Sequence, residues 1–185
     1  LILFNIFFKI FVYITFVAYY KYFLNMITGK YPSLRLRRNR KAEWCRRLVE
    51  ENNLTSNDFI LPIFLIDGKN KKINIKTMPD VYRYTLDKLL YVVDKAIKKG
   101  LPMVALFPYT DKKKKNPLGT EALNEDNLVC KAIQLIKKKF KNEIGIMCDV
   151  ALDPYTSHGH DGLLKSGYVL NDETNEILVK QSILQ

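Results

Sequence analysis

Residues 149–162 concentrate side chains that could do chemistry. Three carboxylates and two imidazoles fall within thirteen positions of this segment, together with hydroxyl groups. The candidate site residues are Asp149, Asp153, Ser157, His158, His160 and Asp161. Such groups can bind a metal ion, hold an ammonium group or transfer protons. Each has a structural explanation when taken alone, but their density favours a functional site whose reaction the composition leaves open.

This segment leaves the end of a predicted strand, residues 143–151. Strand alternation would place Asp149 and Asp153 on one face. Gly159 and Gly162 would let the loop fold back and bring its imidazoles near the carboxylates. Functional groups of parallel α/β folds lie at the carboxyl ends of the strands, so the position of the segment agrees with its polarity.

Strands and helices alternate through the chain from residue 59. Apolar runs predict strands at 59–66, 103–107 and 143–151. Amphipathic patterns predict helices at 41–51, 86–99, 125–140 and 172–184. The expected N-caps of the last three helices are Thr85, Asn124 and Asn171. The pattern predicts a parallel sheet covered by helices, either doubly wound or part of a (β/α)8 barrel, and three units are too few for a complete barrel.

Composition narrows the class of protein. The 185 residues are 48% hydrophobic and carry a net charge of +11, so we expect a folded basic protein. The densest basic run, residues 112–115, contains no aromatic residue on which a base could stack, and we expect no nucleic-acid partner. Cys45, Cys130 and Cys148 form no C-x-x-C pair. We therefore expect no thiolate zinc site, and reduced thiols in the cytoplasm.

The first 25 residues differ in kind from the rest, because they contain no acidic residue, glycine or proline. Our first interpretation is translated upstream sequence, since their amino acids have AT-rich codons and Met26 would suit as a start. A membrane anchor ranks second: a helix of this length would reach roughly 36 Å, but Asn5 and Lys9 interrupt it. A cleaved signal peptide ranks last, for want of a basic start and a cleavage site.

Residues 149–162 resemble the signature of the delta-aminolevulinic acid dehydratases, also called porphobilinogen synthases, in a form found in many proteobacteria. Further segments resemble the family in the same order: its basic arm, first strand, M-P-G-V turn, second strand and third-helix start. They are residues 31–38, 61–64, 78–81, 106–108 and 167–172. Asp80 stands where the family usually has glycine. The resemblance covers about residues 27–185.

The resemblance implies a (β/α)8 TIM barrel, of which this chain holds the N-terminal arm and about the first three β/α units. The implied division is an apolar extension at 1–25, a basic arm with a short helix at 26–52, and the barrel part at 53–185. The family forms homo-oligomers, commonly octamers, whose arm embraces a neighbouring subunit. The arm residues implied here are Arg35, Arg37 and Arg38.

The activity implied is a hydro-lyase reaction of tetrapyrrole and heme biosynthesis, in which two molecules of 5-aminolevulinate condense to porphobilinogen. Asp149 matches the family's aspartate near two lysines that form Schiff bases with the substrates, and it would orient or charge-stabilise them. Those lysines belong to Y-S-x-K and M-V-K-P segments, which this sequence lacks. Lys165 and Lys180 are poor substitutes, so we expect the 185-residue chain alone to be inactive.

Zinc-type members carry three cysteines at places that match Ala151, Asp153 and Asp161. Alanine cannot bind a metal and carboxylates are hard oxygen donors, so the resemblance implies a magnesium-type or metal-independent site. Asp153 and Asp161 would hold Mg²⁺ or the substrate's ammonium group. Ser157, His158 and His160 would lie in the substrate or metal region.

Two alternatives stay open at this point. One is a catalytically inactive half-barrel remnant that binds another subunit, which a stable folded product ending at Gln185 would support. The other is a membrane-anchored basic module that uses the apolar extension, which a carbonate-resistant membrane fraction would support. We do not favour a membrane partner.

Overall fold

The computed structural model describes residues 32–33 and 37–185. The apolar extension, with its three interpretations, and Arg35 lie outside the described residues. The chain divides into two compact units, Leu1–Asn53 and Leu54–Gln185. Within the described part, no helix combines the length and the apolar character needed to cross a membrane.

The described part of the first unit is helical and basic. A 3₁₀ turn at Arg38–Arg40 precedes helix α1, Glu43–Leu48. The predicted helix at 41–51 is therefore confirmed in its middle and is shorter at both ends. Trp44 and Leu48 are mostly exposed, at 65% and 77%, so α1 buries no core within this unit.

The second unit contains a five-stranded sheet. Its strands are β1 (Ile60–Ile66), β2 (Lys72–Asn74), β3 (Tyr82–Tyr84), β4 (Met103–Tyr109) and β5 (Gly145–Cys148). Their order is β2-β3-β1-β4-β5. Strands β3, β1, β4 and β5 run parallel, and β2 pairs antiparallel with β3. The longest pairing, β1 with β4, runs from Ile60 opposite Met103 to Ile66 opposite Tyr109.

Helices α2 (Leu86–Lys98) and α3 (Leu128–Phe140) cover one face of this sheet. Alternate strand residues such as Ile63 and Leu106 pack with Leu89 and Ile136 in one buried cluster. Each such side chain contributes about 1.5–3 kcal/mol through burial. The opposite face carries Phe64 and Phe107, whose ring centroids lie 5.7 Å apart. Helices on one face only are typical of a (β/α)8 barrel, whereas a doubly wound sheet carries helices on both faces.

A hairpin and a last helix complete the unit. Strands β6 (Leu163–Lys165) and β7 (Tyr168–Leu170) pair antiparallel. Helix α4, Asn171–Leu184, follows directly. The predicted helix at 172–184 is therefore confirmed and begins one residue earlier, within the segment 167–172 that resembles the start of the family's third helix. Asn171 is not the cap, because it lies inside the first turn and its side-chain amide donates to Asp172.

Two further cap and strand predictions are wrong in detail. Helix α3 begins at Leu128, where the side chain of Asn127 accepts the N–H of Cys130. The predicted cap Asn124 accepts the N–H of Asp126 in the preceding turn instead. Pro108 lies inside β4, opposite Leu65 of the parallel neighbour, so it does not end the strand.

Thr85 occupies the predicted N-cap position of α2 but bonds elsewhere. Its hydroxyl accepts the N–H of Lys71 and faces the Lys71 carbonyl, and no side-chain cap bond forms. Asp80, at the glycine position of the family's turn, has a left-handed φ of 62°. This conformation favours glycine and explains why glycine is usual there.

Candidate active site at the carboxyl end of strand β5

Strand β5 ends at Cys148, three residues earlier than predicted. The predicted strand alternation beyond this point is wrong, because Ala151 and Leu152 are consecutive and both buried. Asp149 and Asp153 are nevertheless both exposed. Burial, and then the charges of Asp161 and Asp149, raise the pKa of Asp153.

The loop is anchored to the segment that follows β4. The N–H of Asn116 donates to the carbonyl of Tyr155 at 3.3 Å, and its carbonyl accepts the N–H of Ser157 at 3.1 Å. Within the loop, the hydroxyl of Thr156 donates to the carbonyl of His160 at 2.9 Å. Tyr155 is buried with Leu152 in a small core. The loop thus has a defined conformation at the end of the sheet.

One carboxylate oxygen of Asp161 serves this conformation. It accepts the N–H of Leu152 at 2.6 Å, a charge-assisted bond. The carbonyl of Ala151 accepts a bond at 3.2 Å from the side-chain amide of Gln181 on α4. The sequence reasoning missed Gln181. Its signal was spacing, because a glutamine three positions after Leu178 and four after Ile177 lies on the inward face of the helix.

Both ring nitrogens of His158 are occupied. Its Nδ1 accepts the N–H of His160 at 3.1 Å, so the proton is on Nε2, which lies 3.1 Å from the carbonyl of Pro117 and donates to it. The two imidazole rings lie 5.6 Å apart. His158 therefore holds the loop in this geometry through both of its ring nitrogens.

A cavity of about 430 Å³ opens beside the loop. Its lining residues are Tyr109, Thr110, Lys112, Lys115, Thr156, Ser157, His158 and Gly159. The volume is that of a small-molecule site. Ammonium and hydroxyl groups on its wall would suit a small carboxylic acid. The structure thus brings Ser157 and His158 to the cavity, and groups the three aspartates around the neighbouring turn.

The delta-aminolevulinic acid dehydratase family model matches residues 33–185. The chain is 54% identical over 153 residues to the delta-aminolevulinic acid dehydratase of Bradyrhizobium diazoefficiens, covering 83% of this chain and 43% of the relative. It is 39% identical over 162 residues to that of Rhodobacter capsulatus, covering 88% and 48%. The chain belongs to the delta-aminolevulinic acid dehydratase family.

A solved dehydratase structure from Toxoplasma gondii, in complex with the reaction product porphobilinogen, matches with a TM-score of 0.76. It is 37% identical, and the match covers 82% of this chain and 43% of that one. This likeness and the helices on one face confirm the prediction of a partial (β/α)8 barrel. The chain spans about half the length of the curated relatives it matches.

The dehydratase loop offers few protein ligands to a metal ion. Within residues 37–185, no three His, Cys, Asp or Glu side chains converge as metal ligands. Mg²⁺ takes six oxygen ligands and usually keeps several waters beside one or two carboxylates. One oxygen of Asp161 is already bonded to Leu152, which leaves its other oxygen and the carboxylate of Asp153. Burial, with a smaller effect from Cys130, raises the pKa of Cys148 to about 11, which keeps this thiol protonated.

Gly162 permits the close approach of the hairpin and α4. A Cβ atom there would lie 2.6 Å from Cγ1 of Val169 and 3.0 Å from Oγ1 of Thr174. We expect Gly162→Ala to lower the free energy of unfolding by about 1–3 kcal/mol, measured by urea denaturation. Adding Val169→Ala should restore part of it, since Val169 is half exposed. Equal stability of Gly162→Ala and the unchanged chain would contradict this packing.

The carboxyl of Asp153 should make the stability of the folded chain depend on pH. Partial burial of its carboxyl, and then the charges of Asp161 and Asp149, raise its pKa above the ordinary 3.8, although the residue as a whole is exposed. The folded state therefore binds this proton more tightly than the unfolded chain does. Ionisation of Asp153 therefore lowers the free energy of unfolding. This loss is complete above the raised pKa and absent below the ordinary pKa of an aspartate.

We therefore expect Asp153→Asn to stabilise the chain at neutral pH, by an amount that shrinks as the pH falls toward 3.8. Urea denaturation across this range measures the effect. Asp126→Asn is a matched control, because Asp126 is 83% exposed in an ion pair with Lys131. A constant difference at every pH would show that the charge of Asp153 is not the cause.

Proposed function

We propose that this protein acts as a porphobilinogen synthase, which condenses two molecules of 5-aminolevulinate to porphobilinogen with loss of water. The observation that carries the proposal is the family match over residues 33–185, with the aspartate-rich loop at the carboxyl end of β5. The Toxoplasma relative was solved with porphobilinogen. The catalytic Schiff-base lysines would come from residues that this sequence does not contain.

In this proposal Asp149 supplies negative charge beside the reacting lysines. It directly follows β5 and is exposed, so its carboxylate can face groups brought by other strands of a barrel. A carboxylate there would stabilise the iminium charge that develops on a Schiff base. The cavity beside the loop, with Lys112 and Lys115 on its wall, would hold a substrate carboxylate.

Asp153 and Asp161 would hold a cation in this site. Burial, and then the negative charge of Asp161, raises the pKa of Asp153, and a substrate ammonium group or Mg²⁺ would offset both effects by favouring the ionised carboxyl. Because no third protein ligand converges with these two carboxylates within the described residues, we favour the ammonium group. If Mg²⁺ binds, its charge would neutralise the carboxylates, with water or other groups as the remaining ligands.

The proposed assembly is a homo-oligomer of the octameric kind that the resemblance implies, in the cytoplasm. Arg37 and Arg38 support it, because both are exposed and line a basic cavity of about 720 Å³ with Arg40 and Lys41. Exposed arginines are suited to contact carboxylates of a neighbouring subunit. The free cysteines support a reducing compartment.

A chimera tests the activity. Residues 33–185 of this chain would be joined to the unmatched remainder of the Bradyrhizobium dehydratase. We expect the chimera to form porphobilinogen from 5-aminolevulinate and the remainder alone to form none. A folded chimera that forms no porphobilinogen would contradict the proposal.

A second candidate is a half-barrel that binds another subunit, and the exposure of two lysines of the chain supports it. Lys165 and Lys180 are exposed, unlike Schiff-base lysines, which are activated by burial or neighbouring cations. We expect the purified 185-residue chain to form no porphobilinogen. Detection of product from this chain alone would exclude the second candidate.

A further inference from the structure

Helix α4 carries a fully buried glutamine beneath the aspartate-rich loop. Gln181 is 0% exposed, and the neighbouring Ile177 and Leu178 pack against the small core of Ala122, Leu152 and Tyr155. Burying an amide costs free energy unless hydrogen bonds replace those to water. A leucine or methionine would fill such a position without that cost, so the glutamine needs an explanation.

The explanation begins with one peptide group. The carbonyl of Ala151 and the N–H of Leu152 belong to the same peptide plane. The carbonyl accepts from Nε2 of Gln181 at 3.2 Å, and the N–H donates to Asp161 at 2.6 Å. A planar peptide held at both ends cannot rotate without breaking one bond. We call the peptide group between Ala151 and Leu152 the clamped peptide. In the sequence it lies between Asp149 and Asp153.

Only one end of the side-chain amide of Gln181 makes a hydrogen bond. A carbonyl can only accept, so the amide nitrogen must face Ala151. The other amide atom, Oε1, is buried and has no hydrogen-bond partner within the described part of the chain. An unsatisfied buried acceptor costs folding free energy. Gln181 is therefore poorly explained by stability, and better explained by what its one bond does.

We propose that Gln181 is a positioning residue, whose bond to the Ala151 carbonyl sets the direction in which Asp149 and Asp153 point. Strand β5 has ended at Cys148. Further along the loop, the carbonyl of Leu152 accepts the N–H groups of Tyr155 and Thr156, and the carbonyl of Asp153 accepts from Lys115. The clamped peptide is the contact that continues this support back toward Asp149 and the end of β5. Its value for catalysis rests on the proposed function, but the contact itself does not.

Hydrogen exchange of the 185-residue chain tests the contact. Gln181→Met keeps the volume and removes the donor. We expect amides of residues 149–156 to exchange about tenfold faster, because one hydrogen bond is lost, while amides of β1 and β4 keep their rates. Ser182→Ala, at an exposed neighbouring position, should change neither. The proposal would be overturned if Gln181→Met left exchange at 149–156 as it was, or accelerated β1 and β4 equally. Fast exchange at 149–156 in the chain without any substitution would overturn it as well.

Gln181→Glu supplies a rescue that a purely packing role would not show. A protonated carboxyl can donate to the Ala151 carbonyl, and an ionised one cannot. After correction for intrinsic rates, we expect slow exchange at 149–156 at low pH and fast exchange at high pH. A rescue without pH dependence would overturn the proposal. If the exchange results hold but the chimera is inactive, the proposed function fails and the positioning contact stands.

Discussion

Asp149→Asn is expected to reduce the kcat of the chimera at least about 100-fold, the lower end of what a charged catalytic group contributes. Asparagine keeps the shape of the side chain and removes its charge. Because Asp149 is proposed to stabilise charge on the reacting lysines rather than to bind substrate in the ground state, KM should change little. Asp126→Asn, in an exposed ion pair with Lys131, is the matched control and should leave kcat unchanged.

A second measurement separates the charge effect from misfolding. The charge of Asp149 helps to raise the pKa of Asp153, so removing it should lower that pKa toward 3.8. Carboxyl titration by NMR on the 185-residue chain measures this directly. A lowered pKa at Asp153 with an unaffected kcat in the chimera would show that Asp149 lies in the cluster but does not take part in the reaction.

The long elements of the fold were predictable because their signals are local. Strands β1 and β4 are seven-residue apolar runs, and α2 carries its apolar residues at helical spacing. The strands β2, β3, β6 and β7 were missed, since each has only three residues. So short a strand is defined by its partner: Ile73 pairs with Arg83, and Leu164 with Val169. The residue pattern of a single segment does not reveal which strand it pairs with.

The candidate site could be predicted from the sequence only in part, for a similar reason. The density of polar groups in 149–162 marked the loop, but not which groups hold it in place. Asn124 and Asn127 have identical side chains, and either could cap a helix. In the structure Asn124 accepts the N–H of Asp126 in a turn, so Asn127 caps the helix by accepting the N–H of Cys130. The bond from Gln181 to Ala151 spans thirty positions. Such contacts come from the folded chain, not from spacing.

Restoring the three cysteines is expected to create a zinc site. With Ala151→Cys, Asp153→Cys and Asp161→Cys together, we expect one Zn²⁺ per chain, bound at least about 1000-fold more tightly than by the unchanged chain, because thiolates replace a methyl group and two hard carboxylates. Competition with a chromophoric chelator measures the affinity. Ala151→Cys alone is the matched control, since one thiolate makes no site.

The geometry of the loop supports this gain. Asp161 reaches the N–H of Leu152, which directly follows Ala151, and after burial its charge is the next cause of the raised pKa of Asp153, so we expect the three substituted positions to lie near one another. The chain's own Cys148 would not compete, because burial raises its pKa to about 11 and zinc binds the thiolate. The variant loses the bond from Leu152 to Asp161, which metal binding must offset. A triple variant that binds Zn²⁺ no better than Ala151→Cys would show that the loop does not bring these positions together, and the proposed cation site of Asp153 and Asp161 would fail with it.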